Sequence, residues 1–258
     1  MIDTHAHITR RFCDPAVAGQ AVEGAKEAGV KAIVLAASNL EESGENIKLA
    51  ERYPGFLFPA VGIHPQQTDP ENKLSIEEQI GILDKLIKDN KVAAIGECGL
   101  DYSPAPPEER ERSREDQENL FRGQIKLAKE YGLPLMIHAR KAVDEVIEIL
   151  KNYPGLKGVF HCYTGGKKRI GQILELGDSW YFGFDGNLTY EIGLMEVVKN
   201  IPIEKVLLET DSPFLAPIPH RGETNRPEYV KYIYEKFNGE QQQQINENAR
   251  RLFNLNSR

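Results

Sequence analysis

The chain has 258 residues, 40% hydrophobic and 28% charged, which is enough apolar material for a core and too much for a disordered chain. Its formal net charge is −7, from 32 basic and 39 acidic residues, which argues against a duplex-coating protein but leaves room for a local phosphate site. The three cysteines, Cys13, Cys98 and Cys162, form no CxxC pair; they exclude a disulfide framework, argue against a structural zinc site and point to a reducing, cytoplasmic compartment.

The opening MIDTHAH has no basic n-region and no apolar h-region, so 2–7 reads as a first strand and not as a signal peptide. Seven more strands are predicted at 31–38, 57–64, 92–98, 134–139, 158–163, 180–185 and 206–211. KAIVLAAS and VLLETDS are nearly continuous apolar runs, the pattern of parallel strands buried on both faces. Helices are expected at 14–28, 41–53, 75–89, 112–131, 141–152, 166–177, 190–200 and 226–237. This alternation predicts a parallel α/β fold, and eight repeats favour a closed (β/α)8 TIM barrel, which typically needs about 250 residues. Residues 1–258 therefore read as a single domain. No apolar run reaches the roughly 18 residues of a membrane span, so no membrane association is expected.

The segment SPAPPEERERSRED, 103–116, reads as a long loop running into a charged helix, its prolines preventing an early helix start. Such a loop after a barrel strand is a candidate lid or binding element. The run QQQQ at 241–244 is placed on an exposed helix start or face.

Polar residues that bind metals fall on this strand map in a non-random way. His5 and His7 lie in the first strand, His64 closes the third, His138 the fifth and His161 the sixth; Glu97 and Asp211 fall near the ends of the fourth and eighth. Catalytic groups of such barrels come from the C-terminal ends of different strands. Alternation makes His5 and His7 point the same way, with Ala6 toward the helices. Buried carboxylates and imidazoles are costly without partners, and a metal cluster satisfies all of them together. Nitrogen and oxygen ligands without thiolate suit zinc, manganese, iron or cobalt, with magnesium possible. Six ligands are too many for one tetrahedral site with an open position, so two divalent metal ions are expected, bridged by the two oxygens of Glu97.

The motifs DTHAH at 3–7, GIHP at 62–65, GECGLDY at 96–102, IHAR at 137–140, HCYTG at 161–165, LETDSPFLAP at 208–217, NRP at 225–227 and NARRLF at 248–253 occur in an order and spacing that resemble one family. The chain is similar, nearly end to end, to the TatD-type metal-dependent deoxyribonucleases of the amidohydrolase superfamily. The resemblance implies that His5, His7, Glu97 and Asp211 bind the first metal and Glu97, His138 and His161 the second. It implies a phosphate-contacting or supporting role for His64 and places Arg140 near the substrate phosphate. One departure stands out: Thr224 precedes the NRP element where the family often has a basic residue, with Arg221 or Arg226 as substitutes. No lysine lies in IGECGLDY, which separates the chain from relatives that bridge their metals with a carbamylated lysine.

The expected chemistry is phosphodiester hydrolysis. Asp211, with Glu97 and His64 as the other catalytic residues, orients water and takes its proton; His64, Arg140 and Arg221 hold the phosphate, and His64 can protonate the leaving oxygen. Lys141 and the run Lys167, Lys168, Arg169 suggest a local basic patch that guides a strand end. The substrate expected from the resemblance is DNA, attacked by a 3′–5′ exonuclease at single-stranded or frayed ends, with no obligate protein partner. The alternatives are an ester or amide hydrolase with the same metals and a non-catalytic metal-binding barrel.

Overall fold

The computed structural model describes residues 1–8, 15–67, 74–104 and 112–255. The chain runs β1 (Ile2–Ala6), α1 (Pro15–Glu27), β2 (Ala32–Leu35), α2 (Leu40–Arg52), β3 (Leu57–Val61), α3 (Ile76–Asp89), β4 (Ala94–Asp101) and α4 (Arg114–Tyr131). It continues through β5 (Leu135–Arg140), α5 (Val143–Lys151), β6 (Gly158–Phe160), α6 (Lys167–Leu174), β7 (Trp180–Phe184), α7 (Leu194–Val198), β8 (Val206–Leu208), α8 (Val230–Tyr234) and α9 (Gly239–Phe253). The strands pair in sequence order and all in parallel, giving the expected (β/α)8 barrel. The seam between β8 and β1 closes just beyond the strands. There His7 N–H donates to Ser212 O (2.8 Å) and Asp211 N–H to His5 O (2.9 Å). The buried Asp3 carboxylate adds two bonds, accepting from the Thr210 N–H (2.9 Å) and hydroxyl (2.6 Å).

Both faces of the strands are buried, which is why their sequences do not alternate. Ile2, Val34, Ala60, Ala94, Met136, Val159, Tyr181 and Leu207 pack inside the barrel, with Ala249, Leu252 and Phe253 of α9 in the same cluster. Ile33, Leu35, Val61, Ile95, Ile137, Phe160, Phe182 and Leu208 pack outward against the helices. Helix α9 is an element beyond the eight predicted. It begins in a capping box between Asn238 and Gln241 and ends at Asn254 in the left-handed conformation. The glutamine run does lie at its start, where Gln242 Nε2 donates to the carbonyls of Tyr234 and Phe237 (both 2.9 Å). Of the expected lid at 103–116, residues 105–111 lie outside the described residues, as does Cys13, and its end opens helix α4 as expected, with Ser113 as the cap. Among the described residues no helix is long and apolar enough to cross a membrane.

Two register slips aim the site. In β1, Asp3 stands opposite Ile33 and Ala6 opposite Leu35, so Thr4 and His5 share the single inward partner Val34. Strict alternation from the inward Ile2 would turn Ala6 inward and both histidines outward; the slip reverses this, and Ala6 packs with the helix layer. In β4 the slip lies between Ile95 and Cys98, leaving Gly96 and Glu97 opposite the inward Met136. This strand runs to Asp101, three residues past its predicted end, so Glu97 sits within it and not near its end. Strands β3, β6 and β8 stop early, at Val61, Phe160 and Leu208. His64, His161 and Asp211 therefore lie on the loops just beyond. Cys162 and Asp211 have φ of 45° and 53°, a left-handed turn of the chain that ends the ladder there.

Glycine is required beside Glu97. Gly99 has φ of 137° and pairs with His138, and a Cβ there would overlap the His138 carbonyl oxygen. Gly99→Ala is expected to lower folding stability by about 1–3 kcal/mol. A denaturant titration should show a lower midpoint with an unchanged slope; a wild-type midpoint would contradict this packing.

Candidate metal centre

The two slips and the strand-end turns bring six side chains to one point. His5 is fully buried, His7, Glu97 and His161 nearly so, and Asp211 is 9% exposed. Glu97 divides the cluster. Its Oε2 lies 3.4 Å from His7 Nε2 and 3.7 Å from His5 Nε2, and these two nitrogens are 3.2 Å apart. Its Oε1 lies 2.7 Å from both His138 Nδ1 and His161 Nε2. Asp211 Oδ1 completes the first group, 3.4 Å from His5 Nε2 and 3.9 Å from His7 Nε2.

A further set of carboxylates, absent from the sequence reading, orients these rings from behind. His7 Nδ1–H donates to Glu42 Oε1 (3.1 Å), and His138 Nε2–H donates to Asp101 Oδ2 (3.1 Å). Glu209, fully buried, accepts from the Cys162 N–H (2.6 Å) and lies 3.7 Å from His161 Nδ1. Hydrogen bonding at one ring nitrogen fixes the tautomer and leaves the other lone pair free for a ligand. Glu42 follows Asn39 by three residues, so in sequence it reads as a helix start; Asn39 does cap α2, but the Glu42 carboxylate turns to Ser38 N–H (2.7 Å) and His7. Glu209 was legible by alternation, two residues after the inward Leu207.

The charges of this cluster make it hungry for cations. Burial, with the neighbouring His161 and His7, depresses His5 to a pKa of about 3. Burial also works against charge on His161, yet the Glu97 carboxylate beside it raises its pKa to about 9. His7 likewise rises well above its usual value: burial opposes it, but Glu42 and Glu97 outweigh burial. Glu97 is held well below the ordinary carboxylate range, its histidine neighbours overcoming the effect of burial. In neutral histidines the inward lone pairs converge on carboxylate oxygens, so a positive charge has to lie among them. His5 Nδ1 and His161 Nδ1 have no hydrogen-bond partner among the described residues. Among the described residues four donor groups are close enough to hold an ion: His5 with His7 and Glu97, His5 with His161 and Asp211, His64 with Glu97 and His138, and His161 with Cys162 and Glu209. Two of them share Glu97, and imidazole nitrogen with carboxylate oxygen fits divalent ions.

The orienting carboxylates can be tested. A glutamine at position 42 has one acceptor for the two donors, Ser38 N–H and His7 Nδ1–H, that Glu42 now satisfies. Glu42→Gln is expected to weaken metal affinity or activity about 10–100-fold. Metal titration and turnover of the variant measure this; values equal to wild type would remove Glu42 from the support of His7.

The cluster forms the floor of a cavity of about 990 Å³, whose lining also includes His64, Arg140, Lys141, Arg169 and Phe214. His64 accepts the Gln66 N–H at Nδ1 (3.2 Å), so its proton sits on Nε2, 3.7 Å from Glu97 Oε1. Arg140 is exposed on the rim of this cavity. Arg221 is not brought to the lining; its guanidinium lies over the Tyr190 ring, 4.1 Å from the centroid. The expected basic patch is only partly free: Lys167 and Lys168 are exposed, but Arg169 is held by Asp144 in a double hydrogen bond (2.8 and 2.7 Å).

The model of one family, TatD related DNase, matches residues 2–254. The chain is 35% identical to a Bacillus subtilis protein named as the uncharacterized metal-dependent hydrolase YabD, over 99% of this chain and all of that one. It is 32% identical to the 3′-5′ ssDNA/RNA exonuclease TatD of Edwardsiella piscicida, over 92% of this chain and 93% of that protein. Its fold is similar to the crystal structure of YJJV, a TatD homolog from Escherichia coli K12, with a TM-score of 0.84 and 30% identity over 98% of each chain. The chain thus belongs to the TatD family of metal-dependent hydrolases.

Proposed function

We propose that this chain is a 3′–5′ exonuclease for single-stranded or frayed DNA ends, working as one domain over residues 1–258 in the cytoplasm. The observation that carries the reading is the division of Glu97, one oxygen facing His5 and His7 and the other facing His138 and His161. In this reading His5, His7, Glu97 and Asp211 hold one divalent ion and Glu97, His138 and His161 a second, with zinc, magnesium and manganese as candidates. Such a pair supplies an activated water near neutral pH and offsets charge on the phosphoryl oxygens.

The chain's own residues do the rest. Asp211, at the open edge of the cluster, orients the attacking water and takes its proton. His64, with its proton on Nε2 facing the cavity, hydrogen-bonds a phosphoryl oxygen. With Nδ1 accepting the Gln66 N–H and burial holding the ring neutral, it has no second proton to give, and the leaving oxygen takes its proton from water. Arg140 holds the phosphate at the rim. The names of relatives such as the Edwardsiella exonuclease support a nucleic acid as substrate. A recessed floor favours a flexible strand end, because a duplex has to fray first at about 1.4 kcal/mol per base-pair step.

The test is a pair of end-labelled single-stranded oligonucleotides, one linear and one circular, each with a chelator control. Stepwise shortening of the linear strand, an intact circle and silence with chelator are expected. Cutting of the circle at a similar rate would overturn the end-trimming reading. Cleavage of neither, with hydrolysis of a small ester or amide, would move the assignment to another bond.

A further inference from the structure

The cavity holds one feature that phosphate chemistry does not use. Phe214 is 48% exposed, an unusual state for a phenyl ring, and it lines the same cavity as His7, Glu97 and Asp211. Among the described residues it is the one exposed large hydrophobic side chain on that lining. A phenyl ring neither binds cations as a ligand nor donates hydrogen bonds to a phosphate; its ring meets His7 and still leaves about half of its surface open to the cavity, an apolar surface within reach of a bound substrate.

The backbone holds this ring in a set relation to the reacting centre. Phe214 N–H donates to Asp211 O (2.8 Å), which fixes a turn directly after that residue. Phe214 O accepts from Asn225 Nδ2 (2.6 Å), and the same buried amide donates to Thr210 O (2.7 Å), on the other side of Asp211. The ring centroid lies 6.5 Å from that of His7. The element that delivers Asp211 therefore also delivers an aromatic ring beside His7, at 73° to the imidazole plane.

We propose that Phe214 stacks on the base of the terminal nucleotide and so makes the site select unpaired strand ends. Every base offers a π-face, so stacking is tolerant of sequence. In a duplex the terminal base is paired along its edge and stacked on its inner face, so it reaches a ring inside the recessed cavity only after fraying, and the contact reads an unpaired end rather than sequence. This inference rests on the nuclease reading above and adds a specificity-determining contact to it.

The experiment is a double-mutant cycle on the full-length, metal-loaded chain. Wild type and Phe214→Ala are compared on a single-stranded oligonucleotide and on the same strand lacking its terminal base. Phe214→Ala is expected to lower kcat/KM on the complete strand roughly 5- to 100-fold, mainly through KM, the range for one lost aromatic–base stack. That loss largely disappears on the abasic strand, and Phe214→Trp retains most of the activity. Binding is read separately in chelator, from the indole fluorescence that Phe214→Trp adds to that of the buried Trp180. The added signal is quenched by the single strand and not by a blunt duplex. An equal loss on both strands, or no loss on either, overturns the stacking contact while leaving the nuclease reading intact. Failure of wild type to cut any oligonucleotide overturns both.

Discussion

Glu97→Gln is expected to lower turnover on an oligonucleotide by about 1,000-fold or more while the barrel stays folded. The carboxylate faces both halves of the cluster, 2.7 Å from His138 and His161 on one side and 3.4 Å from His7 on the other. An amide keeps the shape but offers one oxygen and one NH2 group to a set of inward-facing acceptors, so one half loses its anion. Lewis-acid stabilisation contributes several kcal/mol, and each 1.4 kcal/mol is a tenfold change. Single-turnover assays on the variant, with circular dichroism to check the fold, measure the effect. Turnover within a few-fold of wild type would show that the shared carboxylate does not organise the chemistry.

Asp211→Asn is expected to cost about 100- to 10,000-fold in kcat, the range for removal of a general base. Asn keeps one oxygen at the position that lies 3.4 Å from His5 Nε2. It is also among the residues that tolerate the left-handed conformation, so the φ of 53° does not penalise the variant. The loss is therefore chemical and not a loss of fold. Metal occupancy measured beside the rate separates the two roles of the residue: wild-type occupancy with wild-type turnover would remove Asp211 from proton transfer.

Much of this architecture was legible in the sequence because parallel strands buried on both faces leave continuous apolar runs such as AIVL. Helix α9 was less legible, since its glutamine-rich start hides a buried stripe of Ile245, Ala249, Leu252 and Phe253. The strand ends were misplaced because the ladder stops where polar side chains turn the chain, as at Cys162 and Asp211. The inward direction of His5 and His7 followed from alternation only in the relative sense. Its absolute sense depends on a one-residue slip that no local propensity encodes. The same holds for Glu97, placed beside a slip that Gly96 and Gly99 make possible. Glu42 and Asp101 stayed hidden because their task is visible only when the partner histidines, 35 and 37 residues away, are brought next to them. Arg221 shows the opposite: a basic residue close in sequence to the site, yet packed over Tyr190.

Counting the ions held by the purified chain addresses the shared site directly. The protein is stripped with chelator, titrated with zinc or manganese to excess, and analysed for metal and for activity at each step. Two divalent ions per chain, with activity rising as the second binds, are expected. Saturation at one ion with full activity would contradict a site bridged by Glu97.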